Sequence, residues 1–272
     1  MQSGYYSSAS GMVMQFNRMD VIANNLANVH SNGFKEENVV VGTFSRLYQQ
    51  ARDDLPYKNH TYEAASYINR TLDKAPQVTD KYNDFRIGTL AHSTNPLDVA
   101  IDKEGLFFLV KTPAGLRLTR DGSFSKAEDG TLVTKDGYEV LPSDYFLSNQ
   151  NIRLNPEDTN IAIDKTGTIH TGSTAELDQN SQLFIAKPLN IRDLKKVGSN
   201  LYSFEDTSLE NGSFNDANAI RQGFVEKSNV NAVKMMTQMI EANRMVQMYQ
   251  KAMDSQMNDM NRDAIEKLSR KA

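Results

Sequence analysis

The sequence predicts an α+β protein in which N- and C-terminal helices pair as a coiled-coil-like helical domain, with an all-β domain between them. Three observations carry this. Residue usage is partitioned: all 12 methionines fall in residues 1–19 or from Met235 onward, all seven prolines lie between Pro56 and Pro188, and no glycine follows Gly223. Apolar residues near both ends recur in steps of three and four, the period of one helix face. The middle sets short β-branched and aromatic runs between Asp-Gly pairs, which supply the positive φ of tight turns.

Residues 1–33 make the first expected element. Tyr5, Ala9, Met12, Phe16, Met19, Ala23 and Leu26 lie three or four apart, a heptad seam along a helix ~35 Å long at ~1.5 Å per residue. Gly4, Gly11 and four serines weaken this helix. It is therefore expected to fray in the free chain and to order on association. It ends in "VIANNLANVHSNGF" (21–34), where Asn24, Asn25 and Asn28 crowd the last turns. Asn24 and Asn28 share a face, so their amides either cap the final turn or do that and also contact a neighbouring subunit. Asn32-Gly33 suits a left-handed turn that sends the chain onward.

Residues 34–90 read as an extended connector with some strand content, without a clear period. Residues 91–224 read as the central β domain. Within "LDVAIDKEGLFFLVKTPAGLRLTRDGSFSKAEDGTLVTKDGYEVL" (97–141), strands alternate with turns expected at Gly105, Gly122, Gly130 and Gly137. The runs "DTNIAIDKTGTIHTG", "LFIAKPLNI" and "LYSFED" repeat the pattern. Residues 225–272 form the second helix, roughly 55 Å long from Val230. Its stripe is Met239, Ala242, Val246, Tyr249, Met253, Met257, Met260, Ala264 and Leu268. Val13, Met14, Met235, Met236, Ile240, Met245 and Met248 lie off the two main stripes. A helix apolar on several sides has several partners, and unbranched methionine adapts to different neighbours. The two helices either pair only within one chain or pair and also pack against neighbouring copies.

Other chemistries find little support. A net charge of -4 with both signs spread along the chain argues against a general nucleic-acid binder. There is no cysteine, which excludes disulfides and thiolate metal sites. No apolar run approaches the ~20 residues of a membrane span, and "MQSGYYSSASGMVM" lacks the basic-then-apolar plan of a cleaved signal peptide. His30, His60, His92 and His170 are scattered, without ligand spacing or an evident acidic partner. No Asp-Gly pair sits in a calcium-loop pattern, and no nucleophile elbow or phosphate-cradling loop is present. The expectation is therefore a protein that is not an enzyme, with no catalytic, cofactor or metal residues.

Three motifs, in order, carry a resemblance. "MDVIANNLANVHSNGFK" resembles the N-terminal signature of bacterial flagellar axial proteins, the rod and hook family, matching it at Asn24, Asn25, Leu26, Ala27, Asn28, Gly33 and Phe34. "NPLDVAIDKEGLFFLV" with "LTRDGSFSKAEDGTLVTKDGYEVL" is similar to that family's central β domain. "GFVEKSNVNAVKMMTQMIEANRMVQMYQKAM" is similar to the entry into its C-terminal helix. Chain length fits the basal-body rod members. The opening "MQSGYYSSASGM", the C-terminal extension and segment 45–86 look more like the proximal-rod member than the distal one.

The resemblance implies a structural subunit that assembles helically into the driveshaft carrying torque from motor to hook. It implies self-association, partnership with other rod proteins, and export by the flagellar type III apparatus without signal cleavage. On this reading Tyr5, Met12, Phe16, Met19, Asn24, Asn25, Leu26, Asn28, Met239, Val246, Tyr249, Met253, Met257 and Met260 line subunit contacts. A distal-rod role is the near alternative. A β-rich hydrolase or ligand-binding module with a helical stalk is the remote one.

Overall fold

The computed structural model describes residues 2–43, 76–154, 160–173, 176–204 and 219–269. The protein is α+β, and it divides into two compact units. The first draws on 1–27, 37–82 and 231–272, the second on 28–36 and 83–230. Most of the connector, including most of segment 45–86 and His60, lies outside the described residues.

Unit 1 is built on helix α1 (Gln2–Ala27), strands β1 (Glu37–Thr43) and β2 (Pro76–Asn83), which pair, and helix α2 (Ala232–Ser269). The sequence expects fraying at the N-terminus, yet α1 is helical from Gln2. Packing against α2 stabilises it where propensity does not. Asn231 caps α2, its Oδ1 accepting from Lys234 N at 3.0 Å, the usual N-cap bond to the third helical residue. At ~1.5 Å per residue α2 is ~57 Å long. Gly11 faces Tyr249 while Asn25 meets Met235, so α1 and α2 run antiparallel. A Cβ at Gly11 would lie 2.6 Å from the Tyr249 ring. The missing side chain is what admits that ring.

The first strands lying wholly in unit 2 are β3 (Leu90–His92) and β4 (Val99–Ile101). Then come β5 (Phe107–Thr112), β6 (Gly115–Thr119), β7 (Phe124–Lys126), β8 (Leu132–Thr134) and β9 (Glu139–Val140). One helical turn, Tyr145–Ser148, leads to a meander of β10 (Asn160–Ile163), β11 (Thr168–Ser173) and β12 (Glu176–Gln182). The last strands are β13 (Ile185–Ala186), β14 (Lys195–Gly198), β15 (Leu201–Ser203), β16 (Ile220–Gln222) and β17 (Phe224–Glu226). The main sheet runs β14-β15-β6-β5-β9-β8-β7, with β13 also paired to β5. Strand β5 is buried on both faces: Phe108 and Val110 join one core cluster, Phe107 and Leu109 the other. That is the two-residue alternation of a strand, and each buried phenylalanine contributes roughly 1.5–3 kcal/mol.

Strands at the two ends of this unit pair antiparallel, β3 with β17 and β4 with β16. The chain therefore enters and leaves the β unit side by side. Gly33, Gly105, Gly130 and Gly137 have positive φ. Gly122, grouped with them in the sequence, does not. A Cβ there would lie 1.7 Å from the Val99 carbonyl oxygen, and Val99 N donates to Gly122 O at 2.9 Å. This glycine serves a close strand approach, not a hairpin turn.

Candidate functional site

The faces of α1 are not arranged as bulk suggests. The stripe of large residues is largely open: Tyr5 and Phe16 are exposed, Phe16 at 44%, while Met12, Met19 and Leu26 are half-buried and Ala23 is exposed. The buried face is Gly11, Met14, Gln15, Val21, Ile22 and Asn25. It lies roughly 130° round the helix from the first, at ~100° per residue. Two residues of this mixed face meet α2 directly, Gly11 at the Tyr249 ring and Asn25 at Met235, so fit decides the packing where the sequence reading weighed size. On α2 the expected stripe is the packed one. Ala242 and Val246 are buried, and Met239, Tyr249, Met253 and Met260 are half-buried. Met257 is exposed, as are Val233, Met236, Ile240, Met245 and Met248. The side chains of Ala264 and Leu268 lie outside the described residues.

The asparagine cluster resolves residue by residue. Asn25, only 1% exposed, straddles the backbone of Glu37. Its Oδ1 accepts from Glu37 N at 2.9 Å and its Nδ2 donates to Glu37 O at 2.8 Å. The same amide lies 3.7 Å from Met235 Sδ. One side chain therefore ties the end of α1 to β1 and to the start of α2, all inside unit 1. The sequence paired Asn24 with Asn28, yet the central residue carries this role. Asn24 is exposed and Asn28 half-buried, with Asn28 accepting from Ser31 Oγ.

Unit 2 contains a site that the sequence did not disclose. Lys35, Arg120 and Glu226 are each 1–2% exposed. Lys35 Nζ donates to Glu226 Oε1 at 2.5 Å and to Arg86 O at 2.7 Å. Arg120 Nε and Nη2 reach Glu226 Oε2 at 2.8 and 2.7 Å. The other Arg120 donors go to the carbonyls of Ile101, Lys103 and Leu106. Burial pushes the Lys35 ammonium below its ordinary pKa, with the Glu226 carboxylate pulling back, and burial acts likewise on Arg120. A fully hydrogen-bonded carboxylate between two cations is the arrangement that makes such burial tolerable. Each residue stands two or three positions from a glycine in the quoted motifs, "NGFK", "TRDG" and "GFVE". That nearness is the one signal that could have found them.

Around this triad the backbone is knitted. Gly33 N donates to Glu226 O at 2.7 Å, and a Cβ on Gly33 would lie 2.4 Å from Asp121 N. Asn32 accepts from Lys227 Nζ and from Asn200 Nδ2, and donates to Ser123 Oγ. Among the described residues no group of three or more His, Asp or Glu is placed to hold a metal. No described helix is long and apolar enough to cross a membrane. His170 lies 3.8 Å from Asp164, a partner the sequence does not reveal, and His92 meets Phe224 edge-on.

The architecture defines a class: an α+β chain whose two terminal helices form one unit and whose middle forms a second, mostly β. The family described as "Flagella basal body rod protein" matches residues 6–35, "Flagellar hook protein FlgE/F/G D1 domain" matches 100–171, and "Flagellar basal body rod FlgEFG protein C-terminal" matches 221–266. Among curated relatives, "Flagellar basal-body rod protein FlgG" of Agrobacterium fabrum is 33% identical over 90% of this chain and 91% of its own length. "Flagellar basal-body rod protein FlgF" of Caulobacter vibrioides is 30% identical over 99% of both chains. The FlgG of Bacillus subtilis is 32% identical over 88% of this chain and 89% of its own. The chain belongs to the flagellar basal-body rod family, in its FlgF/FlgG class.

Proposed function

We propose that this protein is a structural subunit of the bacterial flagellar rod, taking its place by packing α1 and α2 against other subunits. The observation that carries the reading is apolar exposure away from the α1–α2 seam: Tyr5 and Phe16 on α1, with Met236 and Ile240 on one side of α2 and Met248 on another. The α1–α2 contact already occupies a different side of each helix, so the pair is an assembly core with outward faces left to fill. The three-and-four spacing of the packed residues supports coiled-coil-like pairing within that core. Burying the outward faces supplies the association energy. Head-to-tail contacts that do not close propagate as an open helix, the geometry of a shaft.

In this role the protein does no catalysis. It meets further copies of itself, other rod proteins and the flagellar type III export apparatus, crosses the periplasm as part of the rod, and reaches it without signal cleavage. Alignment from end to end with a relative named FlgF supports the proximal position, while the identity to a FlgG supports the distal one. Electron microscopy of basal bodies from cells lacking the gene separates the two. A rod stopped near its base means proximal, and a rod short only at its far end means distal.

The direct test of the interface is Phe16→Glu in complemented cells. The variant should fold as the wild type does but leave cells without rods beyond the block. Normal swimming with Phe16→Glu would overturn the proposed contact face.

A further inference from the structure

The chain passes between unit 1 and unit 2 four times, at 27/28, 36/37, 82/83 and 230/231. On the unit-2 side these crossings are flanked by three segments, 28–36, 83–88 and 226–230, and the same three are bound to one another. Glu36 O accepts from Asp84 N at 2.8 Å, and Asn229 Oδ1 accepts from Glu36 N at 2.8 Å. Asn229 Nδ2 donates to Asp84 O at 2.7 Å, and Gly88 N donates to Glu226 Oε1 at 2.9 Å. Lys35, from the first segment, shares that carboxylate. Arg120 then fastens Glu226 to the carbonyls at 101, 103 and 106 of the β unit. Every bond here lies within unit 2. The carboxylate of Glu226, in the third segment, bonds Lys35 of the first, Gly88 of the second and the sheet anchor Arg120.

We propose that Glu226 is a positioning residue, the pin of a clamp that holds all of the chain's exits from the β unit together. Force arriving along either terminal helix then enters the sheet through several hydrogen-bonded segments in parallel, not through one covalent strand at a time. The mechanical meaning rests on the proposed rod role, whereas the clamping does not.

Arg120 gives the clamp its stiffness. Its planar guanidinium holds a fixed fork of donors, so the carboxylate cannot swing without breaking several bonds at once. A lysine at that position could follow such a motion.

The test is backbone hydrogen exchange on the full-length chain, read by mass spectrometry for the wild type, Glu226→Gln and Lys35→Met. Clamping predicts that peptides holding Gly33, Asp84 and Gly88 exchange about tenfold or more faster in Glu226→Gln, as local opening does. Peptides from β5 should be unchanged, and Lys35→Met, which keeps the Arg120–Glu226 pair, should give a smaller change at the same sites. Parallel acceleration of β5 would mean ordinary destabilisation and would overturn the clamp, as would unchanged exchange at the junction. If Glu226→Gln does not fold, Lys35→Met carries the same comparison. Cells carrying Lys35→Met should then assemble rods yet swim poorly against a viscous load. Undiminished swimming under load would overturn the mechanical use of the clamp, and motile cells lacking the gene altogether would overturn the rod reading instead.

Discussion

Replacing Asn25 by aspartate changes no shape and one donor. In the wild type the Asn25 amide closes a two-bond ring with the Glu37 backbone, at 2.8 and 2.9 Å, with the side chain 1% exposed. In Asn25→Asp an oxygen replaces Nδ2 and faces the Glu37 carbonyl, with a buried acceptor left unmet at a cost of about 1–3 kcal/mol. Keeping the carboxylate ionised there adds several kcal/mol more, so the group takes up a proton and its pKa rises. Together the loss at neutral pH is roughly 3–5 kcal/mol. A folded-state pKa above the unfolded one makes the deficit full at high pH, and it shrinks as pH falls through the folded value, because the protonated acid donates to Glu37 O again. Asn25→Leu lacks both bonds and should show a comparable deficit without that pH dependence. Urea unfolding of the full chain, followed by far-UV circular dichroism at neutral and mildly acidic pH, reads this out. With a slope near ~3 kcal/mol per molar, the neutral-pH midpoint should fall by about 1–1.7 M. A midpoint equal to that of the wild type, or a deficit that does not narrow on acidification, would refute the reasoning.

Glycine substitutions should rank by what a Cβ meets. Gly122→Ala forces a methyl to 1.7 Å from Val99 O and should cost about 3 kcal/mol or more. Gly137→Ala has φ of 83° but open space and should cost only about 1–2 kcal/mol. Thermal melts of both variants decide it, and the reverse order would contradict the close-approach account. Side-chain hydrogen bonds from Arg86 hold the Asp84 carboxyl below its ordinary value of 3.8, against partial burial. Its contribution is present above that value and lost as pH falls below it. Arg86→Ala should therefore flatten the acid limb of the stability profile, and an unchanged limb would show the pair to be idle.

Composition and periodicity were enough to separate helical ends from a β middle, because methionine, proline and glycine act through local backbone preference. The packed stripe of α2 was legible for the same reason. The packed face of α1 was not. Its decisive residue is Gly11, whose contribution is an absence that receives Tyr249, and periodicity scores count only what is present. Asn25 was visible as part of a cluster, but the identity of its partner, the Glu37 backbone, depends on where the chain turns after Gly33. Lys35, Arg120 and Glu226 look like ordinary solvated charges in a linear string. Only folding makes neighbours of residues 191 apart.

That separation has a kinetic consequence. Asn25 and Met235 lie 210 residues apart, so joining α1 to α2 from an unfolded chain means closing a very long loop. Once unit 2 has folded and brought Lys35 against Glu226, the effective loop shrinks from 210 to about 19 residues, the difference between 210 and 191. Closure entropy grows as the logarithm of length, so this lowers its cost by roughly 2 kcal/mol. A middle that folds first would thus serve as a template for its ends. Until Met235 to Tyr249 of α2 have emerged, the packed face of α1 lacks its intramolecular mate and stays available to other chains.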